Sequence, residues 1–141
     1  MYKNIIIPVE VFSDNLHEND LHKAQFLANV SSGHIHLLAI IPEFAFARTK
    51  WHFDDAKRLM TVLEALAKQR LLKLAKRLAL PDGFIHLHTY IGNIDEGILS
   101  LSRKEETLVI VGENHYQTGD ESLTLSTERI VKENNIPVMF V

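Results

Sequence analysis

The apolar positions of the chain change period again and again along its length. Residues 5–9 (IIIPV) are a short run, β-branched and apolar on both faces, as a strand covered on both sides of a sheet requires. Polar turn formers occupy 14–19. Leu21, Ala24, Phe26, Leu27 and Val30 then recur at roughly helical spacing until Ser31-Ser32-Gly33 ends the pattern. Residues 34–41 (HIHLLAII) predict a second strand, closed by Pro42. No period is visible in 43–53, where Phe44, Phe46, Trp51 and Phe53 suit a loop that covers something. Residues 54–80 hold neither Gly nor Pro and predict a long helix, with Leu59, Leu63, Leu66, Leu74 and Leu78 available for one stripe. Pro81-Asp82-Gly83 signals a turn, and 84–91 (FIHLHTYI) alternates as a less buried strand at an edge of the sheet would. A short helix over 95–103, a buried strand over 107–111 (TLVIV), a loop over 112–119, a helix over 120–134 and a strand over 137–141 complete the pattern.

Strands and helices therefore alternate from end to end. That order predicts an α/β fold with a doubly wound, open, parallel five-stranded sheet and helices on both faces, of the Rossmann type. No internal repeat or linker interrupts it, so residues 1–141 are expected to form one domain. In such sheets ligands bind beyond the carboxyl ends of the strands, where the strand order reverses. The segments to read for function are thus 10–15, 42–45, 92–95 and 112–120.

Composition narrows the function classes. The 141 residues are 46% hydrophobic and 23% charged, an ordinary globular balance, and a chain of this mass buries about two-thirds of its surface on folding. Fifteen Lys and Arg against eighteen Asp and Glu leave a formal charge of −3, which gives no basic excess for a nucleic-acid partner. The absence of cysteine excludes a disulfide scaffold, a thiol nucleophile and a zinc-thiolate site, and fits a reducing cytoplasm. The apolar run at residues 5–9 is too short for a signal sequence, and charges interrupt every longer stretch, so neither export nor membrane insertion is expected.

Several fragments, in this order and spacing, resemble the universal stress protein family. They are Met1-Tyr2-Lys3 leading into Ile5-Ile6-Ile7-Pro8-Val9, then Ile91-Gly92-Asn93-Ile94-Asp95-Glu96-Gly97-Ile98-Leu99, then Val109-Ile110-Val111-Gly112, Thr127-Glu128-Arg129-Ile130-Val131 and Ile136-Pro137-Val138-Met139-Phe140-Val141. The resemblance spans essentially the whole chain. It implies a cytoplasmic homodimer joined through the C-terminal strand, acting as a binding or regulatory module in stress responses, and in one branch of the family an ATP or AMP site.

That resemblance points to Pro8, Val9, Glu10, Ile41, Gly112, Asn114, His115 and Leu125 as the residues of an adenine-nucleotide crevice. The nucleotide-binding branch normally ends its first strand in Asp followed by Gly or Ser, and carries further glycines after the fourth. Glycines let backbone N–H groups approach phosphates, and a helix start adds partial positive charge. Here Glu10-Val11 replaces the first pair, His115 stands where a second glycine is often found, and Thr124-Leu125 replaces a Gly-Ser pair. Residues 112–125 also carry Glu113, Asp120 and Glu121 and no Lys or Arg. Each like-charge pair at roughly 8 Å costs about 0.5 kcal/mol in water-like dielectric, so a triphosphate loses several kcal/mol there. Weak or absent ATP binding follows. The alternative is an ATP- or AMP-binding protein with slow hydrolysis or self-phosphorylation.

Other constellations carry chemistry. His34-x-His36 and His86-x-His88 put two imidazoles each on one face of neighbouring strands. Imidazole suits zinc, nickel or copper, but no carboxylates flank these pairs, and they read as half-exposed residues at an edge strand rather than ligands. His115 beside Tyr116 could serve as a base, with Ser13, Asp14, Ser122 and Ser126 nearby in sequence or loop, yet none sits in a nucleophile elbow, so no catalytic set is assigned. The aromatics after the second strand could wall a flat ligand or form a hydrophobic lid. Lys68, Arg70, Lys73, Lys76 and Arg77 read as a solvated helix face.

Overall fold

In the computed structural model, residues 2–12, 18–41, 53–102, 106–112 and 129–141 are described. Strands lie at Asn4–Val9 (β1), His34–Ile41 (β2), Ile85–Ile91 (β3), Thr107–Val111 (β4) and Val138–Phe140 (β5). Helices lie at Glu18–Ser31 (α1), Phe53–Ala75 (α2) and Ile94–Leu101 (α3), and residues 129–134 are helical as well. All four strand pairings are parallel, in the order β3-β2-β1-β4-β5. This is the doubly wound sheet the alternation predicts, with β3 and β5 at its edges.

The period of two along each strand divides the core into two layers. Ile5, Ile7 and Val9 of β1, Ile35, Leu37 and Ala39 of β2, and Leu108 and Ile110 of β4 pack with Leu21, Ala24 and Ala28 of α1 and Ala67 and Leu71 of α2. On the opposite face Ile6, Leu38, Val109 and Val111 pack with Ile98 of α3 and with Ile130 and Ile136. Central strands covered on both faces need no polar alternation, which is why 5–9 and 108–111 are continuously apolar.

The helices depart from their sequence expectations in two places. The buried side of α1 is Leu21, Ala24 and Ala28, while Phe26 and Val30 are 64% and 59% exposed. Positions 21, 24 and 28 share a face at i, i+3 and i+7, whereas 26 and 30 lie outside that stripe. Helix α2 ends at Ala75, five residues before the predicted end. Its last turn tightens as the N–H groups of Arg77 and Leu78 donate three residues back, to Leu74 and Ala75, and the N–H of Ala79 donates to Gln25 Oε1 of α1 at 2.8 Å. Leu78 is thereby turned into the α1–α2 core although it lies beyond the helix.

Two glycines admit close approach, with different consequences. A Cβ on Gly33 would meet the main-chain oxygen of Tyr2 at 2.8 Å, and one on Gly97 would meet the Cδ1 tip of Ile40 at 2.7 Å. Backbone at the β1 entry cannot yield, whereas an isoleucine tip can rotate. Gly33→Ala is therefore expected to cost about 1–3 kcal/mol as overpacking. Gly97→Ala should fall nearer neutral, because a helical Ala returns about 1 kcal/mol of propensity. Urea unfolding of both variants checks the order, and Gly97→Ala as the more damaging change would refute it.

Candidate functional site

With strands ordered β3-β2-β1-β4-β5, the chain winds one way from β1 through β3 and the other way from β4 to β5. The switch point, and hence the ligand crevice, lies between the carboxyl ends of β1 and β4. The pairing of these strands shows the opening directly. The β1–β2 ladder runs to Val9↔Ala39, but the β1–β4 ladder stops at Ile6↔Val109. Pro8, with no N–H to donate, lies two residues beyond that stop.

Around this opening, Pro8, Val9 and Ile41 are buried, as is Gly112 at the end of β4. Pro8, Val9 and Ile41 thus make the protein beside the opening apolar. Glu10 is half-buried and supplies the carboxylate at the end of β1. Val11 turns back into the α1–α2 core, and its carbonyl accepts a hydrogen bond from the guanidinium of Arg70. The helix-face reading of the basic run thus needs correction at one position. Arg70 follows the buried Ala67 by three residues and precedes the buried Leu71, so it lies in the apolar stripe of α2 and is brought to the crevice end of β1. A cation within an apolar stripe was the signal available in the sequence. Asn114, His115 and Leu125, with Ser13, Asp14, Tyr116, Ser122, Ser126 and the aromatics Phe44, Phe46 and Trp51, lie outside the described residues.

The neighbouring strand end is shaped by Gly92. Its φ of +138° is one that side-chain-bearing residues rarely adopt, and its N–H donates to the carbonyl of Ile41 at 3.0 Å, tying β3 to the end of β2. Asn93 then starts α3, whose first turn contains Asp95 and Glu96. Asp95 is buried, its side chain 8% exposed, and Arg129 reaches it at 3.1 Å. The positive end of α3 is therefore already complemented by the protein's own carboxylates.

The four strand histidines form a second cluster at the opposite, amino-terminal end of β2 and β3. His34 Nδ1 lies 2.8 Å from His86 Nε2, and His36 Nδ1 lies 2.9 Å from His88 Nε2. The ring planes are nearly parallel: the bonded pairs meet edge to edge, and His36 stacks on His86. Nitrogens engaged with one another in parallel planes do not converge on a single point. Among the described residues no group of three or more His, Asp or Glu has the placement to hold a metal ion.

Comparison with known proteins places this geometry in context. The Universal stress protein family profile matches residues 1–141. Universal stress protein G of Escherichia coli O157:H7 is 27% identical over 142 residues, covering 100% of this chain and 99% of that protein. Among solved structures, hypothetical protein MJ0577, the subject of a structure-based assignment of biochemical function, superposes with a TM-score of 0.70 at 25% identity, covering 100% of this chain and 96% of the other. A universal stress protein in complex with cAMP superposes with a TM-score of 0.61 at 12% identity over 99% of this chain and 96% of its own.

The buried carboxylate beside the crevice makes a quantitative expectation possible. Arg129→Met leaves Asp95 without its guanidinium and should cost about 1–3 kcal/mol, while Asp95→Asn should cost less. Because Arg129 is 55% exposed, solvent screening limits the coupling in a double-mutant cycle to about 0.5–1.5 kcal/mol. Urea unfolding of the two single variants and the double variant measures it. Full additivity would reduce the pair to a surface contact.

Proposed function

The chain belongs to the universal stress protein family, and on that premise we propose that it is a non-catalytic binding and regulatory module of the cytoplasm. Its crevice takes an adenosine-sized ligand with few phosphates and holds ATP weakly. One observation carries this reading. The crevice end of β1 presents the carboxylate of Glu10, while the guanidinium groups of Arg70 and Arg129 are bonded to the Val11 carbonyl and to Asp95. An adenosine-sized group needs a mostly apolar floor and a few polar anchors, and Val9, Ile41 and Glu10 offer both. A triphosphate needs cations or glycine-lined N–H groups, and the acidic 112–125 sequence supplies neither in number. The cAMP complex of a distant relative, whose ligand carries a single phosphate, supports the same preference.

The family membership and the sheet edge together support assembly as a homodimer. Strand β5 pairs with β4 alone among the described strands, and Val131, Met139 and Phe140 nearby are exposed at 44%, 37% and 44%. A short apolar edge strand suits pairing with its own copy about a two-fold axis. No described helix is long and apolar enough to cross a membrane.

Calorimetry tests the ligand reading. ATP with magnesium is expected to bind more weakly than about 100 μM, equivalent to less than about 5.5 kcal/mol, with AMP, cAMP or adenosine binding more tightly. Micromolar ATP binding would overturn this and favour the alternative, an ATP-binding protein with slow hydrolysis or self-phosphorylation. Sedimentation tests the assembly: Met139→Asp, or deletion of residues 137–141, should convert a dimer into monomer or aggregate. A dimer unchanged by either would place the interface elsewhere.

A further inference from the structure

Phe84, His34, His86, His36 and His88 interleave from β2 and β3 into one column. Successive ring centroids are 4.5, 5.1, 4.7 and 5.1 Å apart, with planes inclined by 14°, 27°, 16° and 24°. All five side chains are half-buried, and the column joins edge strand β3 to β2, the one strand it pairs with among those described.

The hydrogen bonds fix how many protons this column can hold. Asn4 Oδ1 accepts only, so His36 Nε2, 3.0 Å away, carries a proton. Neutral His36 then presents a bare Nδ1, to which His88 Nε2–H donates at 2.9 Å. In the other pair, His34 Nδ1 and His86 Nε2 share one proton across 2.8 Å, whichever ring owns it. Each pair can accept one further proton on an outer nitrogen with its bond intact. A second would set two N–H groups against each other across the shared line, and the bond would have to break. The intact column thus takes up at most two protons, where four free imidazoles take up four.

We propose that this column is an acid-operated latch on edge strand β3, closed while the imidazoles are neutral and released when mild acidification drives protons onto the nitrogens that the column withholds. Among the described residues, the groups around it are neutral, paired with one another or exposed. From β1 comes the neutral amide of Asn4. In α3, which packs farther along the same side of the sheet, Asp95 is held by Arg129 and Glu96 is exposed. Lys3 and Glu106, at the starts of β1 and β4, pair with each other at 3.6 Å, and Asp82 in the turn before β3 is exposed.

The direction of the ionisation shifts agrees. Burial first, and the charge of His34 second, hold His86 below its ordinary value of 6.5; burial first, and His86 second, do the same to His88. A histidine whose folded value is lowered binds fewer protons folded than unfolded. Its contribution to stability is intact above about pH 6.5, is lost as pH falls through that value, and levels off below the folded value. Strand β3 is the element that gives way, because among the described strands it pairs with β2 alone and is half-buried along its whole length, and local opening needs less than global unfolding. The latch is independent of any ligand in the crevice.

Hydrogen exchange on the intact protein tests it. With a two-proton deficit and an ordinary imidazole value of 6.5, the opening equilibrium of β3 rises about 100-fold between pH 7.5 and 5.5. Protection of the Ile85–Ile91 amides, corrected for the intrinsic pH dependence of exchange, should fall by that factor, and that of Thr107–Val111 by less than about threefold. The double variant His36→Gln and His88→Gln removes one pair and should reduce the β3 response to about tenfold. An NMR titration of the wild-type imidazoles needs no variant: at most two should charge while β3 signals persist. Four ordinary titrations with β3 in place, or equal losses of protection in β3 and β4, would overturn the proposal.

Discussion

The crevice depends on a conflict inside β1. This strand is covered on both faces and flanked by strands on both sides, so each of its peptide groups is asked for a partner in the ladder or a substitute. Pro8 cannot meet that demand in full. The strand keeps its register with β2 through Val9, but its ladder to β4 has stopped before the proline. In a fold whose crossovers diverge at this same place, the parting of β1 from β4 sets where a ligand can enter. The proline therefore stands at the seam along which the two halves of the sheet separate.

Charge then decides what that opening can hold. A parallel sheet with helices starting beside its carboxyl ends begins with a bias toward anions. In this chain much of the bias is used internally. Asp95 and Glu96 sit in the first turn of α3, Arg129 is drawn to Asp95, and Arg70 reaches through the α2 stripe to the carbonyl of Val11. These contacts hold the frame together at the crevice, and they withdraw from any incoming phosphate the groups that would attract it. Rigidity at this end and affinity for a highly charged ligand compete for the same side chains.

The fold was legible in the sequence because β1 and β4 carry continuous apolar runs and each helix marks a change of period, and these signals do not depend on distant partners. The helix boundaries were less so. The end of α2 is set by Gln25, 54 residues away in the chain, and no local propensity encodes that contact. Phe26 and Val30 are apolar yet exposed, since residue type does not say which stripe faces the sheet. Of the candidate site, Glu10, Ile41 and Gly112 could be placed from strand ends alone. Arg70 could not be recognised without weighing its position against Ala67 and Leu71, because a basic run on a helix is most often a solvated face. The histidines were legible as neighbours, but their ring stacking and shared protons depend on a diagonal register between strands 52 residues apart.

The two edges of the sheet answer the same physical demand in different ways. An edge strand must protect its unpaired groups or use them. At β5 the strand is short and apolar, which suits contact with another copy. At β3 the constraint is one of cover. Helix α3 has eight residues and spans about 12 Å, whereas the seven residues of β3 extend about 23 Å. The helix packs over Leu38, Ile40 and Tyr90, and among the described residues no helix packs over the first half of β3 on that face. Aliphatic residues there would form an exposed apolar patch, and lone polar residues would leave the edge loosely held. Stacked imidazoles satisfy both conditions when neutral, since each ring offers an aromatic face to its neighbours and one donor and one acceptor at its rim. The same choice makes this edge the part of the sheet whose cohesion depends on protons, while β1 and β4, whose two core layers are packed by aliphatic residues, do not share that dependence.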